Sequence, residues 1–388
     1  MGKCLMAAMN VTDKTNNMLC GVFFEKAMPI ELVLIGCGTV GSELLAQVQK
    51  QSTRLEKLGV AIRVSALANS SKMYIRKEGI HLGIADFAEK TACKAWLDAK
   101  GCLTDFEKLL ALGRELKNPV LIDCTAGEAV PDRYKDFISN GFHIVTPNKR
   151  ACAGPYSRYR AIKDMARKCR RRFLYETTVA AGLPVIENLQ NLLYAGDELY
   201  SFSGILSGSL SYIFGRLDEG ASFSAAVKEA MAKGFTEPDP REDISGADVA
   251  RKVLILAREA GMVLEAQDLE LQSLLPEEYM ALSKEDFLAR MHELDQAMHQ
   301  QLKTAQAESK TLRFVGSIDN GQGKIGIEAV SLDQPLAAVK GGENALSFFT
   351  KYYSPIPLFL RGYGAGATVT AAGIFADIMR TLNWLREV

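Results

Sequence analysis

The sequence lacks the residue patterns that build metal sites and disulfide frameworks. None of its eight cysteines lies in a C-x-x-C pair, and a chain of 388 residues can bury a core without disulfide bonds. Its four histidines form neither H-x-x-x-H nor H-E-x-x-H. We therefore expect reduced thiols, a cytoplasmic location and no transition-metal site.

Net charge and long apolar runs are also absent. Lysine plus arginine and aspartate plus glutamate both number 46, so the formal net charge is zero. No apolar run approaches the ~18 residues of a membrane span. Because no overall field draws this chain to nucleic acid or to an anionic membrane, we expect neither as a partner.

From residue 30 onward the sequence alternates short apolar strands with helical stretches. Strands are predicted at 30–35, 62–68, 119–124 and 142–146. This order is typical of an α/β protein with a Rossmann-like, doubly wound parallel sheet. After about residue 176 the pattern changes to helices followed by strand-like runs, which indicates a second domain of α+β type.

These changes of pattern predict three segments. Residues 1–29 are irregular and are expected to be a linker or tail. Residues 30–176 form the predicted dinucleotide-binding domain, which residues 357–388 complete with a strand, a glycine loop and a helix. Residues 177–356 form the predicted substrate-binding domain.

A glycine-rich turn follows the first predicted strand and opens a helix. It has the form G-x-G-x-x-G and comprises Gly36, Cys37, Gly38, Thr39, Val40 and Gly41. The first glycine permits the tight turn, the second lets the backbone approach a pyrophosphate, and the third allows close helix–strand packing. The helix N-terminus then offers N–H groups to the phosphates. The turn therefore predicts a bound nicotinamide dinucleotide.

The end of the second strand indicates which dinucleotide is preferred. NAD enzymes usually carry an acid there to bind the ribose 2′-hydroxyl, whereas this chain reads Ala-Asn-Ser-Ser-Lys over residues 68–72. Ser70 and Lys72, or Arg76, are candidates to meet a 2′-phosphate. We expect NADP, with NAD tolerated. Both cations are equally compatible with ordinary exposed loop positions.

Two further predicted strands end in polar residues at the same edge of the sheet. Thr125 follows one strand, and Lys149 closes the segment Thr-Pro-Asn-Lys after the next. The carboxyl ends of parallel strands line the ligand crevice, so both residues are placed to touch cofactor or substrate. Without that context Lys149 would be an exposed lysine in a turn.

Carboxylates are dense around one lysine in the second domain. Glu237 and Asp243 precede Asp248, and Asp248 lies one helical turn before Lys252 on the same face. Such a pair is usually a surface salt bridge. The density of acids favours a site instead, because carboxylates bind the ammonium of an amino acid and a lysine exchanges a proton with an alcohol oxygen.

Several segments together resemble homoserine dehydrogenases. They are TPNK at 146–149, GILSGSLSYIF at 204–214, the stretch 236–252 and GAGATVTAAG at 364–373. The likeness covers residue 30 to the end and is greatest to the dehydrogenase part of bifunctional aspartokinase–homoserine dehydrogenases. In that case residues 1–29 would be the tail of a kinase or regulatory portion that this chain does not contain. Little feedback inhibition by threonine is then expected.

The resemblance implies reversible conversion of L-homoserine and NAD(P)⁺ to L-aspartate 4-semialdehyde and NAD(P)H. It assigns proton transfer to Lys252 and a second catalytic role to Lys149. Substrate would be held by Glu237, Asp243, Asp248 and Ser209. Cofactor contacts outside the glycine turn would come from Ser70, Lys72, Thr125, Lys149, Gly234, Glu237, Gly364 and Gly366.

The resemblance also implies a monovalent cation and a dimer. The cation, usually sodium, would bind through carbonyl groups of Glu176, Val179, Ala181 and Leu183. The strand-rich segment 311–350 would pair with a second subunit in a homodimer. Two departures from the family pattern stand out: Ala180 replaces a glycine of the cation loop, and Phe235 replaces a tyrosine.

Two other functions remain compatible with the residues. The chain could oxidise a different small hydroxy compound, such as another hydroxy acid, a sugar or an inositol. It could also be a non-catalytic NADP-binding protein, which predicts cofactor binding without turnover. The concentration of acids around Lys252 argues against the second of these.

Overall fold

The computed structural model describes residues 29–81 and 92–386, with side chains described to residue 382. The predicted tail at 1–29 therefore lies outside the described residues, apart from Pro29. The first sheet contains seven strands in the order β4-β3-β2-β1-β5-β6-β7. These are β1 (Ile30–Ile35), β2 (Ile62–Ala68), β3 (Lys72–Ile75), β4 (Cys102–Leu103), β5 (Pro119–Asp123), β6 (His143–Val145) and β7 (Phe173–Leu174).

Five of these strands, from β2 to β7 in sheet order, are parallel. The expectation of a parallel sheet is corrected at one edge, where β3 and β4 run antiparallel. The reversal has a local cause directly after β2. The Asn69 Oδ1 accepts the backbone N–H groups of Ser71 and Lys72 at 2.9 and 2.7 Å, which closes a tight turn.

Helices connect the strands of this sheet. They are α1 (Thr39–Lys57), α2 (Ala92–Lys100), α3 (Phe106–Glu115), α4 (Tyr134–Ser139), α5 (Arg150–Ala153) and α6 (Tyr156–Lys168). The α1 helix turns Leu44, Leu45 and Val48 toward β1, whose six residues are all buried. Burial of a strand on both faces is the packing expected where helices cover both sides of a parallel sheet.

The second sheet has six strands in the order β13-β12-β8-β10-β11-β9. They are β8 (Leu199–Ile205), β9 (Leu269–Leu271), β10 (Lys310–Asp319), β11 (Gln322–Ser331), β12 (Glu343–Thr350) and β13 (Leu358–Tyr363). All neighbouring pairs are antiparallel except β9 with β11. The α+β character predicted for this half of the chain is confirmed.

The remaining helices pack on this sheet or bridge the two halves. They are α7 (Ile186–Tyr194), α8 (Gly208–Asp218), α9 (Phe223–Ala232), α10 (Arg241–Ile244), α11 (Ala247–Glu259), α12 (Glu277–Met280), α13 (Lys284–Arg290), α14 (Asp295–Ala307) and α15 (Ala367–Arg386). The α15 helix lies against α1, with Ala371, Ile374 and Ile378 buried in the core of the first sheet. Within 357–388, therefore, α15 packs on the first sheet and β13 belongs to the second.

Among the helices of the described residues, none combines the length and the apolar character of a membrane span.

Candidate active site

The glycine turn has the geometry that a pyrophosphate site requires. Gly36 has a φ of +107°, and a Cβ there would lie 2.6 Å from the Cys124 carbonyl carbon. A Cβ on Gly41 would lie 2.2 Å from the Gly36 oxygen, whereas one on Gly38 would meet nothing within 4 Å. Gly36 and Gly41 are thus needed for close packing, whereas Gly38 leaves the N-terminus of α1 open. No acid stands in the first turn of that helix to oppose an anion.

The two candidate cations after β2 lie at opposite ends of β3. Ser70 is exposed within the turn that Asn69 closes, and Lys72 begins β3 beside it. Arg76 follows the end of β3, where its N–H bonds the Ser65 carbonyl. Four residue steps along the extended backbone separate Lys72 from Arg76, or roughly 13 Å between their Cα atoms. Arg76 is therefore a poorer candidate than Lys72 to meet a phosphate beside Ser70.

A buried carboxylate organises the ends of β5 and β6. One Asp123 oxygen accepts the Thr125 N–H at 2.8 Å and hydroxyl at 2.6 Å. The other accepts the Tyr134 hydroxyl at 2.6 Å and the Asn148 amide at 3.2 Å. Burial raises the pKa of Asp123, and the hydrogen bonds from Thr125 and Tyr134 oppose that shift. This network fixes Thr125 and the backbone next to Lys149.

Three charged groups from different parts of the chain meet at the start of α11. Lys252 Nζ lies 2.9 Å from Asp248 Oδ2 and donates to the Leu206 carbonyl at 2.7 Å. Lys149 Nζ lies 3.2 Å from Asp248 Oδ1. The Asp248 carboxylate therefore stands between two ammonium groups. The sequence spacing predicted its pairing with Lys252 but not with Lys149.

Burial and these charges set the ionisation of the cluster. Burial alone would raise the pKa of Asp248, but the Lys252 and Lys149 cations outweigh it and hold that pKa below its ordinary value. Burial lowers the pKa of Lys149, Asp248 opposes the shift, and the nearby Lys252 cation adds to it. A lysine with a lowered pKa exchanges protons more readily near neutral pH.

Asp243 holds a loop in this conformation. Its Oδ2 accepts the Glu237 N–H at 2.8 Å, and its Oδ1 lies 2.8 Å from the Ser209 hydroxyl. The same hydroxyl lies 2.7 Å from the Phe235 carbonyl. Asp243 and Ser209 thus shape the loop that carries Glu237. Phe235 stacks on Tyr212 with ring centroids 4.6 Å apart, where the family's usual tyrosine would add a hydroxyl.

A cavity of about 430 Å³ lies between Lys252 and the glycine loop before α15, and Lys149, Thr125 and residues 36–41 are not among its lining residues. Lys252 and Asp248 lie on one side, with Glu237 exposed at its rim. The other predicted residues along its wall are Ser209, Gly234, Asp243, Gly364 and Gly366. A larger cavity, about 690 Å³ between α14 and the second sheet, has Glu308 as its one charged lining residue within the described chain. The larger cavity thus lacks the group of charged side chains that lines the smaller one.

The predicted cation loop, residues 176–183, is held by its own carboxylate. Glu176 Oε1 accepts the N–H groups of Val185 and Ile186 at 2.6 and 2.7 Å, and Oε2 accepts that of Glu187 at 2.7 Å. This carboxylate thereby binds the N-terminus of α7. In this conformation any cation at the loop would depend on carbonyl groups.

The backbone of that loop is strained at the position where the family has glycine. Ala180 and Ala181 have φ values of +56° and +51°, in the left-handed region that alanine rarely adopts. Two of the four predicted carbonyls are engaged, because Val179 N–H bonds Glu176 at 3.3 Å and Val185 N–H bonds Leu183 at 2.8 Å. In the part of the chain that the structure describes, no cluster of His, Cys, Asp and Glu side chains could hold a metal ion.

Several residues that shape the site had no assigned role in the sequence interpretation. Leu206 contributes a carbonyl, which no side-chain pattern can reveal. Tyr134 and Asn148 support Thr125 through Asp123, and only Asn148 stood within a quoted motif. Asp377 accepts the Glu176 N–H at 3.1 Å from the far end of the chain. Such contacts cannot be predicted from sequence patterns, because they depend on which strands and helices pack together.

Fold and site together define a class of protein: an oxidoreductase that uses a nicotinamide dinucleotide. A sequence model described as homoserine dehydrogenase matches residues 184–379. A second, described as the NAD binding domain of homoserine dehydrogenase, matches residues 36–176. The chain belongs to the homoserine dehydrogenase family, which confirms the predicted resemblance and enzyme class.

Individual relatives agree with this membership. The bifunctional aspartokinase/homoserine dehydrogenase of Haemophilus influenzae is 50% identical over 363 residues, which make up 93% of this chain and 44% of that protein. That of Buchnera aphidicola is 45% identical over 378 residues, 96% of this chain and 45% of that protein. The chain spans less than half the length of these curated relatives.

Solved structures share the fold. A Candida auris protein of unknown function superposes with a TM-score of 0.80 at 33% identity, over 92% of this chain and 98% of that chain. A hyperthermophilic archaeal homoserine dehydrogenase in complex with NADPH has a TM-score of 0.71 at 23% identity, over 92% and 98% of the two chains. The second likeness concerns the fold alone.

Proposed function

We propose that this protein interconverts L-homoserine and L-aspartate 4-semialdehyde with NADP as the preferred dinucleotide. The observation that carries the proposal is the position of Asp248 between the Lys149 and Lys252 ammonium groups, beside a cavity that the 364–366 loop also lines. A lysine beside a cavity can exchange a proton with an alcohol oxygen, and a second positive charge nearby stabilises an oxyanion.

Recognition of the amino acid falls to the acids around the cavity. The exposed Glu237 offers its carboxylate to the substrate ammonium. The half-buried Asp243 adds negative charge to the same side of the cavity, while its two oxygens hold the Ser209 hydroxyl and the Glu237 N–H. Asp248 has both oxygens within 3.2 Å of a lysine nitrogen, so it chiefly orients the two lysines. The substrate hydroxyl would then lie toward Lys252.

Lys252 is the residue we assign to proton transfer. The Leu206 carbonyl and Asp248 hold its Nζ from two sides, which limits the directions that remain for a substrate oxygen. In oxidation the amine accepts the hydroxyl proton, and in reduction the ammonium returns it to the forming alkoxide. Lys149 adds a second positive charge that stabilises the same oxygen.

The residues along the crevice fit a bound dinucleotide, which when present supplies hydride transfer at the carbon that bears the hydroxyl. The backbone of residues 36–41 would receive the pyrophosphate, because the space above Gly38 is open. Ser70 and Lys72 would meet the 2′-phosphate that distinguishes NADP, since no acid ends β2. Thr125, Lys149, Gly234, Glu237, Gly364 and Gly366 would line the nicotinamide end.

We also propose that a monovalent cation, sodium, binds at the loop before α7. Carbonyls of Glu176, Val179, Ala181 and Leu183 would be its ligands, as in the family resemblance. The strained φ angles of Ala180 and Ala181 support this, because such strain collects at functional loops.

We also propose a homodimer in the cytoplasm. Exposed Tyr200, Tyr352, Tyr353 and Ile356 gather where β8 begins and β12 ends, and grouped apolar side chains mark interaction surfaces. All six cysteines among the described residues are free, in keeping with a reducing compartment. Light scattering should give a molar mass twice that of one chain. The mass of a single chain at micromolar concentration would contradict the dimer.

The test of the proposed reaction is reduction of NADP⁺ and NAD⁺ by the purified protein with a panel of alcohols. We expect turnover with L-homoserine, a higher kcat/KM with NADP⁺ than with NAD⁺, and little turnover with other hydroxy acids, sugars or inositol. Each reaction is run with and without sodium or potassium. Cofactor binding without turnover of any alcohol would support the non-catalytic alternative.

A further inference from the structure

One buried side chain next to the active-site cavity has no hydrogen-bond partner. Asn344, the second residue of β12, is 0% exposed, yet neither its Nδ2 nor its Oδ1 bonds any described residue. Burying a carboxamide without hydrogen bonds is unfavourable, so most native proteins avoid it. Asn148, also buried, donates to Asp123 and to the Gly127 carbonyl instead.

The Asn344 carboxamide lies directly beneath the loop that precedes α15. A Cβ on Gly364 would stand 2.0 Å from the Asn344 Cγ and 2.1 Å from its Nδ2. The strand register explains this proximity, because Asn344 pairs with Gly362 between β12 and β13. Gly364 is thus required so that the loop backbone can rest on the carboxamide.

That loop joins the carboxamide to the catalytic cavity. Gly364, Ala365 and Gly366 line the cavity together with Lys252, whereas Asn344 is not among the lining residues. Asn344 can therefore act on a ligand only through the loop. The loop has freedom to adjust, since Gly366 has a φ of +115° and a Cβ there would meet nothing within 4 Å.

We propose that Asn344 is a positioning residue whose carboxamide hydrogen-bonds the backbone of the 364–366 loop when a nicotinamide dinucleotide binds. This inference rests on the proposed function and adds a residue to it. The unpaired amide is unfavourable in the free protein and is satisfied in the bound one. The free energy gained when the amide finds a partner therefore favours the bound state.

The chain offers a matched control. Asn118, before β5, is also 0% exposed and also has no partner for Nδ2 or Oδ1 within the described residues. It precedes the N-terminal end of β5, at the sheet edge opposite the crevice. Leucine shares the branched outline of asparagine but is larger, so Asn344→Leu and Asn118→Leu each remove an unpaired carboxamide and add the same volume.

The experiment measures Tm with and without NADPH, and the NADPH Kd, for the full chain and both variants. We expect the two leucine variants to change the Tm of the free protein by similar amounts, because each loses an unpaired carboxamide and gains the same volume. Asn344→Leu should raise the Kd at least tenfold and reduce the Tm increase that NADPH causes. Asn118→Leu should leave both ligand readouts at wild-type values.

A wild-type Kd in Asn344→Leu would overturn the inference, and so would an equal loss in Asn118→Leu. If Asn344→Leu fails to fold, Asn344→Ala is judged by the same criteria, because alanine introduces no larger group. Turnover of L-homoserine by the wild type is measured separately. If the wild type binds NADPH but does not turn over L-homoserine, the proposed function is contradicted. The NADPH Kd values of the Asn344 and Asn118 variants can still be compared in that case.

Discussion

Among single residues, Gly38 and Gly41 of the dinucleotide turn differ in what a methyl group would meet. Gly41→Ala would place a Cβ 2.2 Å from the Gly36 backbone oxygen, so we expect a lower Tm and loss of dinucleotide binding. Gly38→Ala meets nothing within 4 Å and has a φ of −88°, so the free protein should keep its stability. Its NADPH Kd should still rise about tenfold, roughly 1.4 kcal/mol, because the methyl occupies the approach of the pyrophosphate.

Thermal melts and NADPH titrations of the two alanine variants check this contrast. Wild-type affinity in Gly38→Ala would place the pyrophosphate elsewhere. A wild-type Tm in Gly41→Ala would show that the helix can move away from the strand.

His143, at the start of β6, makes folding sensitive to acid. Burial, together with the Arg171 and Arg172 cations, lowers its pKa from 6.5 to about 3, and its Nδ1 accepts the Arg172 N–H at 2.9 Å. Because the folded-state pKa lies below the unfolded-state value, the unfolded chain binds this proton more tightly. The contribution to stability is complete above pH 6.5 and is lost as the pH falls toward 3.

We therefore expect His143→Asn, which keeps an acceptor for the Arg172 N–H, to be less sensitive to acid than the wild type. The wild type should lose on the order of 3 kcal/mol more unfolding free energy between pH 7 and pH 4. Urea titrations across that range measure it. Parallel pH curves for the two proteins would refute the role of His143.

Residue spacing predicted part of the site and could not predict the rest. The interval from Asp248 to Lys252 is one helical turn, and their 2.9 Å ion pair follows from it. The Leu206 carbonyl and Lys149 are 46 and 103 residues from Lys252, and no local rule relates positions so far apart. The roles of Ser209 and Gly364 came from family resemblance.

At the scale of elements, strands with a strong apolar pattern were predicted well. The 62–68 strand is β2 with the same bounds, and the strand-rich segment 311–350 became β10, β11 and β12. The short β3 and β4 were missed because four and two residues carry too little alternation.

In the predicted cation loop, we expect glycine to be tolerated better than alanine at position 180. Ala180→Gly should be neutral or stabilising by up to about 1 kcal/mol, because glycine adopts a φ of +56° without strain. The same exchange at Ala111, exposed within α3, should destabilise by about 1 kcal/mol. Urea unfolding of both variants decides it, and equal destabilisation by the two exchanges would contradict a strained loop.

At the scale of the whole molecule, the candidate site joins residues of both halves of the chain through the Lys149–Asp248 ion pair. The first sheet supplies the glycine turn, Thr125 and Lys149, and the second half supplies the acids and Lys252. The C-terminal segment joins them, since β13 extends the second sheet and α15 packs on α1. Alternation of strands and helices predicted each half, but the meeting of the halves depends on packing between residues distant in sequence.

In the proposed reaction Lys252 transfers the proton while the glycine turn holds the dinucleotide. This role of Lys252 is tested most directly by single-turnover and steady-state reduction of NADP⁺ by L-homoserine in Lys252→Met. Arg251→Met serves as the control, because Arg251 also pairs with Asp248, at 3.4 Å, but is more exposed.

We predict that kcat falls at least about a thousandfold in Lys252→Met. The NADPH Kd should stay within about threefold of wild type, and Arg251→Met should lose less than about tenfold in kcat. A Lys252→Met enzyme with kcat near the wild-type value would contradict the account.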